Sequence, residues 1–180
     1  MLGGQALLKK EPPIFKVTKT VGLISDTHVP KRAMCIPKRV FEIFEKVDYI
    51  IHAGDLVELA VVDELETIAP VLAVHGNMDG LEASNALPRF NSLKIFDWKI
   101  GVTHDQNILF GLNKPNETAK EKEFDVFVYG HTHVADIKWE GKTLFINPGS
   151  PTDPSNRIAM PSVALLKLTK EAILPEIIHL

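Results

Sequence analysis

The first half of the sequence alternates between short apolar runs and helical patterns, and the connections between them are short. Residues 16–25, 48–54 and 71–76 are short and largely apolar, whereas 37–47 and 56–69 show helical spacing of apolar residues. Adjacent parallel strands need a crossover, which is usually a helix, while antiparallel strands can be joined by a tight turn. The order strand, helix, strand, helix, strand therefore predicts a parallel sheet with helices packed on it.

The second half of the sequence has a different pattern. It predicts three hairpins, at residues 92–104, 134–150 and 162–180, with a further buried strand at 124–130 and a solvated helix at 115–123. A parallel half followed by a half rich in hairpins predicts two sheets packed face to face with helices outside them. The predicted fold class is therefore α/β.

Length and composition restrict the remaining possibilities. We expect one domain over residues 16–180, after an N-terminal appendage of residues 1–15 that Gly and Pro pairs interrupt. The net charge of -3 makes a nucleic-acid polymer an unexpected partner. The single cysteine, Cys35, excludes a disulfide within the chain and a zinc site built on thiolates. Because the sequence has no run of about 20 apolar residues, we expect a cytoplasmic protein without membrane attachment. Homo-oligomer formation is a further possibility.

Polar residues follow five of the predicted strands, at the point where each strand ends. In an open α/β sheet, ligands bind outside the carboxyl ends of the strands, so these residues could converge at one rim. Single short motifs of this kind also occur as ordinary turns, but their ordered recurrence favours a site. The residues are Asp26 and His28, then Asp55, then Asn77 and Asp79, then His104, and finally His131 and His133.

The chemistry of these side chains points to metal ions. Carboxylate and amide oxygens together with imidazole nitrogens, without thiolate, suit Mn²⁺, Fe²⁺, Ni²⁺ or Zn²⁺. Seven such ligands, counted without Asp79, are too many for one ion and suffice for two if one carboxylate bridges them. Paired divalent ions are suited to clamping the attacking and leaving oxygens in phosphoryl transfer.

The order Asp-x-His, Gly-Asp, Gly-Asn, His, Gly-His-x-His resembles the calcineurin-like metallophosphoesterase superfamily. With "INPGS" after the double histidine, the chain is similar to the small single-domain branch, which includes bacterial and archaeal phosphodiesterases and the retromer scaffold subunit. The resemblance covers Val21 to Leu168. It implies a four-layer α/β/β/α sandwich with two packed mixed β-sheets.

The resemblance also implies a set of site residues. Asp26, His28, Asp55 and His133 would hold one ion, and Asp55, Asn77, His104 and His131 the other, with Asp55 bridging. The expected cofactor is two divalent ions per chain, with manganese first and nickel, iron or zinc as alternatives. The implied activity is that of a metal-dependent phosphodiesterase, in which a hydroxide activated by both ions attacks phosphorus in line.

In that mechanism Asp55, Asn77 and His104 are the predicted catalytic residues, acting through the activated hydroxide. Asn77 and Ser150 are the predicted contacts to a small phosphodiester substrate. The alternative is a scaffold or interaction protein of the same fold with weak or lost catalysis. The complete ligand set favours the enzyme.

Two departures from the family pattern concern the leaving group. Many members carry a histidine after Gly-Asn that protonates the leaving oxygen, and here that residue is Met78. Asp105 and Gln106 stand where the small branch often has Gly-His. The general acid is therefore unassigned, and we expect good leaving groups to be preferred. His52 and His75 are interpreted as structural or ligand-orienting residues, and Asp79 as either a turn residue or a partner of the site.

Overall fold

The apolar runs of the first half form three strands of a five-stranded mixed sheet. The computed structural model describes residues 17–105, 124–155 and 159–180. The strand order of this sheet is β10-β9-β1-β2-β3. The first three strands along the chain are mutually parallel, as predicted, and the C-terminal hairpin extends the sheet antiparallel from β1. The strands are β1 (Lys19–Ile24), β2 (Tyr49–His52), β3 (Val71–Ala73), β9 (Ser162–Leu168) and β10 (Ile173–His179).

Residues 90–147 contribute the strands of the other mixed sheet, with strand order β4-β5-β6-β8-β7. The three inner strands, β5, β6 and β8, are parallel, and the hairpin partners β4 and β7 are antiparallel edge strands. The three predicted hairpins are confirmed. The strands are β4 (Phe90–Ile95), β5 (Trp98–Thr103), β6 (Val126–Val128), β7 (Asp136–Glu140) and β8 (Thr143–Asn147).

Three short helices accompany the first sheet: α1 (Lys38–Phe44), α2 (Ala60–Glu66) and α3 (Leu81–Ala86). The first two were predicted with longer bounds. α2 begins four residues later than its pattern, because residues 56–59 belong to the loop after Asp55, where Val57 has a φ of 83°. α3 was not predicted, since only Ala83 of its six residues is buried and no apolar stripe marks it.

Two hydrophobic layers hold these elements together. One lies between the sheets, with Leu23 and Ile51 from the first sheet packed with Val102 and Ile146 from the second. The other lies between the first sheet and the helices, where Phe44 of α1 is fully buried. Alternation along β1 supplies both layers, because successive side chains of a strand point to opposite faces.

The prediction of an α/β fold with two packed mixed sheets is confirmed. A fourth layer, which the predicted helix at 115–123 would provide, lies outside the described residues, as does the appendage of residues 1–15. Within the described parts of the chain, none of the helices has the length and apolar character needed to span a membrane.

The register of the parallel strands determines where the predicted ligand residues lie. Ile24, His52 and Ala73 are aligned across β1, β2 and β3, and Val102, Val128 and Ile146 across β5, β6 and β8. Within each sheet, the carboxyl ends of three parallel strands are therefore level. The loops that leave them meet at one rim.

Candidate metal centre

The strand-end loops are joined to one another by backbone hydrogen bonds. Asp26 N–H donates to Gly54 O at 3.0 Å and His28 N–H to Asp55 O at 3.0 Å, which fastens the loop after β1 to the loop after β2. In the second sheet, Gly130 N–H donates to His104 O at 3.2 Å. These bonds fix the positions from which the predicted ligand side chains project.

One group of side chains forms where the loop after β1 meets the loop after β6. Asp26, His28 and His133 each offer a ligand atom, and these atoms lie within 4.8 Å of one another. His133 Nε2 is 3.3 Å from Asp26 Oδ1 and 3.2 Å from His28 Nε2. His28 Nε2 also lies 3.8 Å from Asp55 Oδ2, which brings in the fourth residue predicted for this ion.

A second group forms beside the first. His104 Nε2 lies 3.2 Å from Asp55 Oδ2 and 3.1 Å from Asn77 Oδ1, and His131 Nδ1 lies 3.0 Å from the same amide oxygen. Asp55 thus contacts imidazoles of both groups, the position predicted for a bridging carboxylate. Asp26 Oδ also lies within 4.8 Å of ligand atoms of Asp55 and His104, so both carboxylates lie between the groups.

The backbone at these residues is unusual. Asp26, His28, Asp55, His131 and His133 all have φ between 46° and 73°, in the left-handed region that residues other than glycine seldom occupy. Such conformations cost about 1–3 kcal/mol each and persist only where the surrounding structure enforces them. The clustering at the site is therefore a mark of function that is independent of side-chain identity.

Two of the motif glycines are required by close packing against the carboxylates. A methyl group at Gly76 would collide with Asp55 Oδ1 and come within 2.7 Å of Asp55 N. A methyl group at Gly130 would collide with Ser25 Oγ and lie 2.8 Å from Asp26 Oδ2. The glycines before Asn77 and His131 thus leave the space that both carboxylates occupy.

The carboxylates are further held by hydrogen bonds. Ser25 Oγ–H donates to Asp26 Oδ2 at 2.6 Å, and His131 N–H donates to the same carboxylate at 3.1 Å. Met78 N–H donates to Asp55 Oδ1 at 2.7 Å. Asp55 thus has Oδ1 bonded to the backbone while Oδ2 faces the imidazoles. Asp26 Oδ1 faces His133 while sharing the His131 N–H, at 3.2 Å, with Oδ2.

Asp79 organises the loop on which Asn77 stands. Its carboxylate accepts hydrogen bonds from the backbone N–H groups of Gly76 at 2.7 Å, Val57 at 2.6 Å and Asp55 at 3.2 Å. These bonds tie the loops after β2 and β3 together. Asp79 thus acts as a turn residue through Gly76 N–H, and through Val57 N–H and Asp55 N–H it also supports the loop of a candidate ligand.

Two of the histidines are oriented by backbone carbonyls. His104 Nδ1–H donates to Ala53 O at 2.8 Å, and His133 Nδ1–H donates to Asp153 O. With the proton on Nδ1, the Nε2 lone pair points to the carboxylates. Outer hydrogen bonds of this kind fix the tautomer of metal-binding histidines in proteins.

The charges of the site explain its pKa shifts. Asp26 is fully buried and Asp55 is 2% exposed, and in the described residues no lysine or arginine forms an ion pair with either. The hydrogen bond to Asp26 raises the pKa of His133 to about 9. Burial acts to lower the pKa of His104, but its hydrogen bond to Asp55 and the nearby negative charges outweigh this and raise it.

At Asp55 and His28 the balance goes the other way. Burial acts to raise the pKa of Asp55, but the hydrogen bond and charge of His104 and the Met78 N–H outweigh it, so this pKa is lowered. Burial is the main effect at His28, and it lowers the pKa of that imidazole. The lowered pKa of Asp55 thus favours a carboxylate anion beside the imidazoles of His28 and His104, in a buried position.

These residues fit divalent metal ions. The Nε2 atoms of His28 and His133 face each other, and Asn77 Oδ1 faces ring nitrogens of both His104 and His131. Lone pairs that converge in this way need a proton or a cation between them. His28 Nδ1 is buried without a hydrogen-bond partner in the described residues. The oxygen and nitrogen donors match the preferences of Mn²⁺, Fe²⁺, Ni²⁺ and Zn²⁺.

The structure changes the interpretation of Ser150. Its side chain is fully buried, and its hydroxyl donates to Asp26 O at 2.7 Å while accepting from the N–H groups of Thr152 and Asp153. A hydroxyl in this position holds the backbone of a candidate ligand. This burial and bonding favour a positioning role for Ser150, while its contact with substrate stays a prediction.

Several supporting residues were not singled out from the sequence. Ser25 directly follows β1 and Asp153 lies in the loop after β8, but nothing in their spacing distinguishes them from ordinary loop residues. Their position beside Asp26 and within the "NPGSPTD" loop was the available signal. His52 is fully buried and bonded to Thr27 and Gly54, as expected for a structural histidine.

The family match covers the whole of this arrangement. Residues 20–171 match the model of the calcineurin-like phosphoesterase superfamily domain. A protein of Methanothermobacter thermautotrophicus named "Probable metallophosphoesterase" is 40% identical over 163 residues, which cover 88% of this chain and 91% of that protein. A phosphodiesterase of Methanocaldococcus jannaschii is 33% identical over 145 residues, 72% of this chain and 82% of that protein.

The fold is shared with solved structures. Vacuolar Protein Sorting 29 from Cryptosporidium parvum superimposes with a TM-score of 0.74 at 25% identity, over 91% of this chain and 92% of that one. Both the sequence match and the fold span the strand ends that carry the ligand residues. The chain therefore belongs to the calcineurin-like phosphoesterase superfamily.

Proposed function

We propose that this protein is a metal-dependent phosphodiesterase that uses two divalent ions. The observation that carries the proposal is the pair of buried carboxylates, Asp26 and Asp55, each with an oxygen facing imidazoles of the two groups. Such an arrangement is costly in the absence of cations, because buried charges need compensation. The similarity to metallophosphoesterases and to a phosphodiesterase supports the same conclusion.

The candidate ligands would be divided between the two ions. Asp26, His28 and His133 would hold one ion, Asn77, His104 and His131 the other, and Asp55 would hold both. When bound, the ions would supply Lewis acidity and lower the pKa of an attacking water. Manganese is the first candidate, followed by nickel, iron and zinc.

The chain's own residues would also shape the substrate site. Asn77 is exposed, so its amide nitrogen can donate to a phosphoryl oxygen while its oxygen faces the imidazoles. Met78 presents an apolar side chain, 39% exposed, where related enzymes place an acid. Without that acid, diesters with good leaving groups are the expected substrates. A cytoplasmic location and homo-oligomer formation stay predictions from the sequence.

The test is reconstitution of chelator-treated protein with Mn²⁺, followed by elemental analysis and kinetics on a nitrophenyl phosphodiester and its matched monoester. We expect two ions per chain, turnover that requires metal, and a preference for the diester. Asp55→Asn should lower kcat/KM more than about 100-fold, beyond the range of a residue that only orients a ligand. His75→Ala is the matched control, because its ring contacts only the adjacent Gly76 carbonyl among the described hydrogen bonds.

A scaffold function is the second candidate, and the likeness to Vacuolar Protein Sorting 29 favours it. A scaffold has no need for buried carboxylates, left-handed ligand residues and oriented imidazoles, since these features cost stability. Protein that binds two ions per chain but shows no metal-dependent turnover on either ester would favour the scaffold over the enzyme.

A further inference from the structure

Two neighbouring cations, Lys31 and Arg32, lie on the rim of the candidate centre. They follow His28 in a turn that is closed by a hydrogen bond from Arg32 N–H to His28 O at 2.7 Å. An isolated β-bridge between Val29 and Val57 fastens this segment to the loop after Asp55. The backbone at Lys31 is therefore positioned by the same loops that position the ligands.

The two side chains reach opposite sides of the centre. Arg32 Nε lies 3.5 Å from Asp153 Oδ2, next to the loop that orients His133. Lys31 Nζ donates to Met78 O at 3.4 Å, on the side where Asn77 stands. An ammonium group has three donors, and this bond uses one of them.

A chain of contacts sets how far the ammonium group is from the ligands. Lys31 Nζ is 3.4 Å from Met78 O, and Met78 N is 2.7 Å from Asp55 Oδ1. Adding the bonds between the N and O atoms of one residue limits the separation of Lys31 Nζ and Asp55 Oδ1 to about 10 Å. A group attached to a phosphorus atom at the centre can span that distance.

Lys31 is a positively charged side chain on a rim that also carries carboxylates. The rim carries the carboxylates of Asp79 and Asp153, and the whole chain has a net charge of -3. The carboxylates at the rim would repel the second negative group of an anionic substrate unless a cationic side chain bound that group. Lys31 is exposed, so its ammonium group is accessible to a ligand in solution.

We propose that Lys31 is a substrate-binding residue that receives a second anionic group of the diester, so that diesters carrying an additional phosphate are preferred. This inference rests on the proposed phosphodiesterase activity. Arg32 acts as a positioning residue, which holds the turn against Asp153. Lys31 Nζ contacts the carbonyl of Met78, which occupies the position of the histidine acid found in many family members. Lys31 therefore places a positive charge beside a residue whose own side chain is uncharged.

The experiment compares two substrates that differ only in the second phosphate: thymidine 5′-(nitrophenyl phosphate) and the same compound with a 3′-phosphate. Lys31→Ala should lower kcat/KM about 10-fold for the 3′-phosphorylated compound and less than about 2-fold for the other, as expected for loss of one charge-assisted hydrogen bond. Lys31→Arg should keep most of the preference. Lys38→Ala, at an exposed lysine at the start of α1, is the matched control and should leave the ratio unchanged.

Calorimetric binding of thymidine 3′,5′-bisphosphate and thymidine 5′-monophosphate to the metal-loaded protein gives a second readout that needs no turnover. Lys31→Ala should weaken only the bisphosphate, by about 10-fold, and added salt should reduce the difference in the unmodified protein. Equal losses for both ligands, or the same change in Lys38→Ala, would overturn the assignment. If neither ester is hydrolysed, the proposed activity fails, while the calorimetry still decides the role of Lys31.

Discussion

The buried histidine of β2, His52, should make the stability of the metal-free protein depend on pH. Gly54 N–H lies 3.2 Å from His52 Nδ1, and Thr27 Oγ1 lies 3.1 Å from His52 Nε2. A backbone N–H can only donate, so Nδ1 must be the acceptor and the ring proton must be on Nε2. Protonation of Nδ1 would break the bond to Gly54 and place a charge in a fully buried position.

The size of the effect follows from the pKa. Burial lowers the pKa of His52 from 6.5 to about 4. As the pH falls below 6.5, the unfolded chain binds a proton that the folded protein does not accept until about pH 4. The stabilising contribution is therefore complete above about pH 6.5 and is lost progressively down to about pH 4. Between pH 7.5 and 5.0 the free energy of unfolding should fall by about 2 kcal/mol from this group alone.

The measurement is urea unfolding of chelator-treated protein at pH 7.5, 6.0 and 5.0. His52→Asn is the informative variant, because the Asn Oδ1 can still accept from Gly54 N–H but does not titrate. Between pH 7.5 and 5.0 the unmodified protein should lose about 2 kcal/mol more than the variant. The comparison cancels contributions from the other histidines and the carboxylates.

His179→Asn serves as the control, since it makes the same change of side chain at an exposed position, the end of β10. Parallel stability curves for the unmodified protein and His52→Asn would refute the reasoning. They would mean that His52 is already charged when folded, or that it is equally solvated in both states.

Two further predictions concern the loops that carry the ligands. Asp79→Ala removes the acceptor of three backbone N–H groups, those of Gly76, Val57 and Asp55, and should lower the free energy of unfolding by about 3 kcal/mol. Thermal unfolding would measure this, and a loss no larger than that of Asp97→Ala, at an exposed hairpin turn, would contradict it. Gly76→Ala places a methyl group against Asp55 Oδ1 and should weaken metal binding about 10–100-fold by calorimetry, whereas unchanged affinity would show that the loop can move aside.

The sheet architecture could be predicted because its signals are local. Residues 48–54 and 71–76 are short apolar runs separated by a helical pattern, and parallel strands with such crossovers are strongly favoured. The hairpin at Phe96–Asp97 was equally clear from its pattern. α3 carries no comparable signal, because a six-residue helix with one buried side chain has no apolar stripe to detect.

The convergence of the strand-end residues could also be predicted. The residues that hold their loops in place could not. Parallel strands with aligned carboxyl ends bring the following residues together whatever the loop details are. The burial of Ser150 and the bonding of Asp79 depend on how separate loops pack against one another. Both involve long-range contacts, since Ser150 Oγ reaches the carbonyl of Asp26 and the Asp79 carboxylate reaches the N–H groups of Val57 and Asp55. Composition and spacing carry no information about such contacts.

The candidate centre also has consequences for how the two sheets are held together. His28 and Asp55 come from the first sheet, while His104 and His133 come from the second. Ions held by both groups would therefore cross-link the sheets at their functional rim. Any ion that binds only the folded state adds stability of RT ln(1 + [L]/Kd), about 2.7 kcal/mol at a hundred times Kd. The apolar layer between the sheets and bound ions at the rim would therefore both stabilise the association of the two sheets. The apolar packing aligns the strand ends, and the ions would resist their separation.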